Sequence, residues 1–207
     1  MTSPLPSEPA PAQPGSFIFL RKFLRHGTQV ASVAPSSRRL ALALCHYVTP
    51  DRPQTILELG AGTGAVTAVV AERMHPHSRL LAVEMDPDFA AVLRRRCPRA
   101  QVIEADAATT LAHLQAVQVE QVDLVISGLP VPSLPRAVNE QVFRCVQQVA
   151  GARIFSQLTV MPWIYLSLYR RLFHQVTFTP VWWNIPCGGV YHCRSLRPDF
   201  DRHLPGK

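Results

Sequence analysis

From residue 55 onward, short apolar runs alternate with stretches whose apolar residues recur every three or four positions. Ile56-Leu57-Glu58-Leu59 reads as a strand and 65–74 as the helix after it. The pattern repeats as a strand over 80–84 with a helix over 87–96, and a strand over 101–104 with a helical turn or two over 107–114. A fourth strand, 122–127, leads to a helix over about 136–149, and a fifth, 153–159, to a helix over 163–173. Strands separated by helices pair in parallel, with helices on both faces of the sheet. Two β-branched runs, near 176–183 and 190–193, follow with no helix between them. They predict an antiparallel hairpin at one edge of a seven-stranded, mostly parallel α/β sheet.

The region before the sheet has a different texture. Residues 1–15 carry Pro4, Pro6, Pro9, Pro11 and Pro14, a flexible leader without the basic start and apolar stretch of a secretory signal. A helical region is expected over 16–50, and the main domain over 51–207. At about 100° per residue, Phe17, Phe19, Leu20, Phe23 and Leu24 fall on one side of a helix and Arg21, Lys22, Arg25 and His26 on the other, with Ile18 the exception. Such a helix lies in a bilayer interface, its cations at anionic head groups, or packs on the sheet with its basic face solvated. Trp163 and the pair Trp182-Trp183 pose the same choice between interface and core.

Composition narrows the classes. Hydrophobic residues make up 47% and charged residues 17%, enough to bury a core. Lys and Arg outnumber Asp and Glu by 21 to 14, a net charge of +7 that favours anionic partners. No apolar run approaches the roughly 20 residues that span a bilayer. The five cysteines (Cys45, Cys97, Cys145, Cys187 and Cys193) form no C-x-x-C pair, so buried thiols are expected. The scattered histidines suggest no metal site.

Candidate chemistry begins at Glu58-Leu59-Gly60-Ala61-Gly62-Thr63-Gly64, between the first strand and its helix. Glycines there allow a sharp turn and close approach of a ligand to the N–H groups of a helix start. Glu84 ends the second strand, where an acid suits ribose hydroxyls. Asp106 follows the third, where a carboxylate can accept from an adenine amino group. Three carboxylates around one pocket repel a pyrophosphate and suit a cation. S-adenosylmethionine (AdoMet), with an adenosine, an ammonium and a sulfonium, fits.

These residues resemble the signature of the Rossmann-like class I methyltransferases. Ala34-Pro35-Ser36-Ser37-Arg38-Arg39-Leu40-Ala41, Ser127-Gly128-Leu129-Pro130, Asn184-Ile185-Pro186 and Val190-Tyr191 narrow the likeness to the bacterial phospholipid N-methyltransferases, relatives of the ribosomal RNA adenine dimethylases. The resemblance runs from about Phe17 to Arg194. It implies a cofactor lined by Glu58, Gly60, Ala61, Gly62, Thr63, Gly64, Glu84, Met85, Asp106, Ala107, Ser127, Gly128 and Leu129. It also implies a reacting centre at Ser127, Gly128 and Tyr191. Phe17, Leu20, Arg21, Lys22, Phe23, Leu24, Arg25, Ser36, Ser37, Asn184 and Tyr191 would meet lipid or membrane. The implied reaction is successive methylation of phosphatidylethanolamine towards phosphatidylcholine, leaving S-adenosylhomocysteine. The enzyme would be a monomer bound peripherally to the cytoplasmic face of the membrane, with no nucleic-acid partner.

Two departures bear on the acceptor. Thr159-Val160-Met161-Pro162 stands where the family has an aromatic before Gly-Pro, and Pro186-Cys187-Gly188-Gly189 where it has Pro-Pro-Ala-Arg. A tyrosine and an arginine are absent from those places, which leaves another amine lipid, such as an ornithine lipid, open as the substrate. The RNA adenine-N6 enzymes use Asn-Leu-Pro followed by an aromatic after the fourth strand; Ser127-Gly128-Leu129-Pro130-Val131 supplies neither the amide carbonyl nor the stacking ring. A non-catalytic scaffold would be expected to lose the glycine loop and its acids.

Overall fold

The computed structural model describes residues 35–150, 153–160, 162–181 and 188–205. Helix α1 (Pro35–Leu44) precedes β1 (Thr55–Leu59), α2 (Ala65–Arg73), β2 (Arg79–Glu84), α3 (Pro87–Arg96) and β3 (Ala100–Glu104). After a 3₁₀ turn, Ala107–Thr109, come α4 (Thr110–Ala116), β4 (Leu124–Ser127), α5 (Arg136–Ala150), β5 (Ile154–Thr159), α6 (Pro162–Leu172), β6 (Phe173–Val181) and β7 (Gly188–Leu196). The sheet order is β3-β2-β1-β4-β5-β7-β6, with β1 to β5 parallel and β7 antiparallel to both β5 and β6. The seven-stranded, mostly parallel sheet and its terminal hairpin are as the sequence pattern predicts.

Helices cover both faces, which is why β2 and β4 carry the unbroken apolar runs 80–83 and 124–126. On one face, Ile56, Leu80, Leu124, Ile126 and Val190 pack against Ala41 and Leu44 of α1 and Val69 and Val70 of α2. On the other, Leu57, Leu81, Val125, Phe155 and Tyr191 pack against Val142, Phe143 and Val146 of α5 and Leu168, Tyr169 and Leu172 of α6. Spacings of three and four put the α5 residues on one stripe. Helix α3 starts where the sequence predicts because Asp86 caps it, accepting from the N–H groups of Asp88 and Phe89, with Pro87 in its first turn. Arg94, Arg95 and Arg96 close it at the negative end of its dipole.

The last two strands are longer than their apolar runs. Phe173 enters β6 directly from the end of α6, and β7 begins at Gly188. A side chain on Gly189 would put its first carbon 2.4 Å from the Phe178 ring, so the glycine makes room for that aromatic inside the sheet. Such a glycine weakens the strand pattern while being required by it. The stretch 17–26, Asn184 and Trp182-Trp183 lie outside the described residues; Ser36 and Ser37 stand in the first turn of α1.

Candidate active site

The chain leaves β1 towards one face of the sheet and β4 towards the other, a topological switch point beyond whose carboxyl ends such sheets bind ligands in a crevice. Both loops at this point are glycine-dependent. Gly60, Gly62 and Gly64 have φ of 73°, 58° and 86°, a conformation that side-chain-bearing residues rarely adopt. Gly60 and Ala61 both donate to the carbonyl of Val83 at 3.0 Å, and Gly62 donates to Glu84 Oε2 at 2.7 Å. The other oxygen of Glu84 accepts from Asp86 N–H at 2.9 Å. One buried carboxylate thereby pins the glycine loop to the turn after β2. Burial pushes its pKa up, while the N–H groups of Asp86, Gly62 and Met85 pull the other way.

Glu58 points to the face covered by α2. It is 2% exposed, and Oε2 has no hydrogen-bond partner. Burial raises its pKa to about 8, with contact to Thr67 opposing and the charge of Glu84 adding to the rise. A buried acid with a spare oxygen, beside a second acid, is a site that a cation would stabilise and an anion would not. Half-buried Asp106 accepts from Ala108 N–H at 2.8 Å at the end of β3, which is tied to Glu84 through Ala105 N–H. Met85 and Thr63 are half-buried beside these turns, and Ala61 and Ala107 are buried.

Across the crevice, Ser127 is buried at the end of β4, its Oγ accepting from Leu129 N–H at 3.3 Å. Gly128 donates to Leu59 O at 2.9 Å, and a side chain there would put its first carbon 3.0 Å from Gly60 O. A glycine on each side lets the two loops touch. Tyr191 is wholly buried on the α5–α6 face, its ring 4.7 Å from that of Tyr169 and 5.5 Å from that of Phe178, with its hydroxyl against Thr159. It therefore belongs to an aromatic cluster under the edge of the site, joined by Trp163, whose ring stands 5.6 Å from Phe178.

The structure adds polar groups that the motifs did not mark. Gln157 is buried beside Ser127 in the sheet, and its Nε2 donates to Leu129 O at 2.9 Å. His192 is buried on the α1 face with Nδ1 2.8 Å from Ser156 Oγ; burial and the nearby His46 lower its pKa to about 4. The available signal was a polar residue beside an apolar one, Gln157 before Leu158 in β5 and His192 before Cys193 in β7. Cys45, Cys97, Cys145 and Cys193 are free and buried.

Residues 56–151 match the family described as "Methyltransferase domain". The chain is 45% identical over 188 residues to an ornithine lipid N-methyltransferase from Singulisphaera acidiphila, covering 89% of this chain and 98% of that one. A ribosomal RNA small subunit methyltransferase A from Bordetella avium is 42% identical over 69 residues, only 32% of this chain and 25% of that enzyme. Among solved structures, an O-methyltransferase from Bacillus cereus in complex with SAH has a similar fold, with a TM-score of 0.61 at 13% identity over 89% of this chain and 92% of that one. The O-methyltransferase TomG from Streptomyces achromogenes, in complex with SAM, gives 0.60 at 14% identity over 85% and 89%. Glycine loop, acids and full-length likeness agree: the chain is a class I AdoMet-dependent methyltransferase, of the same family as the Singulisphaera ornithine lipid N-methyltransferase.

Proposed function

We propose that this enzyme methylates the amine of a membrane lipid, with an ornithine lipid the favoured acceptor. The observation that carries the reading is the 45% identity, nearly end to end, with an enzyme of that name. It moves the favoured head group away from phosphatidylethanolamine, the first expectation from the motifs. The departures at Thr159-Val160-Met161-Pro162 and Pro186-Cys187-Gly188-Gly189 suit a changed head group. The RNA reading has weaker support, since that likeness covers a third of the chain and the loop after β4 offers Ser127 and Val131 in place of an amide and an aromatic.

AdoMet supplies an electrophilic methyl group on a sulfonium. Glu58, Glu84 and Asp106 are the residues proposed to hold it, with the N–H groups of the glycine loop. The protein's remaining task is to bring a lipid amine to the crevice, strip its water and hold it in line. An alkylammonium has a pKa of about 10.4 in water; a dry site near a positive charge favours loss of its proton, which frees the lone pair to attack. The nitrogen–carbon bond forms as the sulfur–carbon bond breaks, and the surplus proton goes to solvent. No strong base is needed.

Peripheral membrane association is part of the proposal. Trp163 (70% exposed) and Ile164 (60% exposed) open α6 directly after β5, with exposed Val160 before them and exposed Arg170 and Arg171 at the far end of the helix. Among the described residues no helix is long and apolar enough to cross a membrane.

The test is transfer of label from AdoMet to liposomes containing ornithine lipid or phosphatidylethanolamine, assayed separately, with ribosomal RNA as a third acceptor. Label in the ornithine lipid is expected. Label in phosphatidylethanolamine alone would restore the first expectation, and label only in RNA would overturn the lipid reading.

A further inference from the structure

β5 carries a buried amide in its middle. Gln157 is 1% exposed and stands in register with Ser127 on β4 and Tyr191 on β7. Strand alternation puts all three on the face covered by α5 and α6, at the carboxyl end of the sheet. Its Nε2 donates to two carbonyls, Leu129 O at 2.9 Å and Leu158 O at 2.8 Å. Those carbonyls settle which end of the amide is nitrogen, because an oxygen turned towards them would face two other acceptors. Oε1 is the remaining end, and it is buried without a partner.

An unpartnered buried acceptor is costly, so it calls for a reason. Two other amide or carboxylate oxygens among the described residues share the condition, Glu58 Oε2 and Asn139 Oδ1. Glu58 lies on the opposite face of the sheet, beside Thr67 of α2. Asn139 sits on α5, where its nitrogen braces the loop after β4 by donating to Val131 O and Leu134 O. Gln157 alone of the three adjoins Ser127, and the Ser127 oxygen is already taken by Leu129 N–H.

We infer that Gln157 Oε1 accepts an N–H of the substrate amine in its neutral form and so turns the lone pair towards the methyl donor. The inference rests on the amine-methylation reading above and assigns a substrate-contacting residue within it. The chemistry makes the role countable. A neutral primary amine has two N–H groups, so one can be held while the lone pair attacks. After one transfer and loss of a proton to solvent, the secondary amine has one N–H left. After two, the neutral tertiary amine has none, and Oε1 can do nothing for it.

Gln157→Met keeps the shape of the side chain and removes the acceptor. Its rates are measured on the amine lipid that the wild type labels, supplied unmethylated, monomethylated and dimethylated. The first methylation should fall roughly 10- to 100-fold, the second less, and the third, where the wild type performs it, should stay within about twofold. Where the wild type stops at two methyl groups, the first two steps decide. AdoMet affinity should be unchanged. Equal losses at every step would reduce Gln157 to a structural brace and overturn the inference, as would an unchanged first step. Gln157→Glu, which keeps acceptor oxygens but loses the donation to Leu129, should slow the steps alike; a graded loss there would also overturn it, and this variant decides if the methionine variant does not fold. A wild type that labels no amine lipid fails the functional reading itself and removes the role with it, an outcome distinct from uniform loss in the variant.

Discussion

The two halves of the sheet bury different kinds of polar group. Within strands β1 to β3 the buried polar side chains are acids, Glu58 and Glu84, with half-buried Asp106 just beyond β3, and Glu84 has both oxygens engaged by backbone N–H groups. From β4 onward they are neutral: Ser127, Ser156, Gln157, Thr159, Tyr191 and His192, several tied to one another or to carbonyls, with exposed Trp163 and Ile164 beside them. The first half is wired to one geometry and selects charge. The second offers uncharged acceptors and apolar rings, as would suit the proposed acceptor, a neutral amine on a lipid that arrives from a surface. One cofactor is common to the class I enzymes, whereas acceptors differ, and the rigid wiring lies on the side proposed to hold the cofactor.

The sharpest way to break that contrast is at Gly64. Its φ is 86°, and an added first side-chain carbon would lie 2.7 Å from Leu93 Cδ1 and 3.1 Å from Cys97 Sγ. Gly64→Ala combines a left-handed backbone cost of about 1–2 kcal/mol with overpacking of about 1–3 kcal/mol. For a chain of this size the melting temperature should drop by roughly 5–15 °C, and AdoMet binding by calorimetry should weaken sharply. An unchanged melting temperature and affinity would mean that the loop is not what fixes the first half.

The same contrast explains how much the sequence disclosed. Glycines and acids at strand ends are conspicuous, so the crevice between β1 and β4 and its carboxylates were legible from residue types and spacing alone. Helix α3 was legible to the residue because Asp86, Pro87 and the three arginines mark both its ends. Gln157 and His192 were not, because one amide or imidazole in a strand of mixed polarity is an ordinary sight and its significance rests on an unpartnered atom that only packing reveals. The ends of β6 and β7 escaped for a related reason: Gly189 breaks the β-branched run where Phe178 needs its space.

A second comparison uses pH. Glu58 and His192 are both buried on the α1–α2 face, one in each half, and burial holds each in its uncharged form. The Glu58 pKa is raised to about 8 from an ordinary 4.5, so the folded state holds a proton that the unfolded state releases. Its contribution is fully present below the unfolded pKa and is lost as pH rises towards 8. His192, lowered to about 4 from 6.5, contributes above 6.5 and loses that contribution as pH falls towards 4. Thermal scans from pH 4 to 9 should therefore show Glu58→Gln removing a fall in stability between about pH 4.5 and 8, by roughly 5 °C or more, and His192→Leu removing a rise between about pH 4 and 6.5. A Glu58→Gln protein that tracks the wild type between pH 4.5 and 8 would show that Glu58 is charged in the free enzyme.

The smallest effect on the fold, and the most telling for the second half, belongs to its rim. Trp163 is 70% exposed and Ile164 60% exposed, so removing them takes little from the core beyond the edge contact of Trp163 with Phe178. Trp163→Ala with Ile164→Ser should cost less than about 1 kcal/mol of stability. A tryptophan at a bilayer surface inserts its ring among the head groups, and losing it together with a branched aliphatic side chain should weaken binding to anionic vesicles about 10-fold in co-sedimentation. Asp88→Ser, at the start of α3 on the rim of the first half, is the matched control and should leave vesicle binding unchanged. If the double variant binds as the wild type does, the exposed ring is not an anchor, and attachment falls to the basic side chains that the sequence offers at Arg21, Lys22 and Arg25. If Asp88→Ser alters binding as much, the membrane does not distinguish the two halves, and the division of labour between a wired cofactor side and a surface-seeking acceptor side fails at its outermost point.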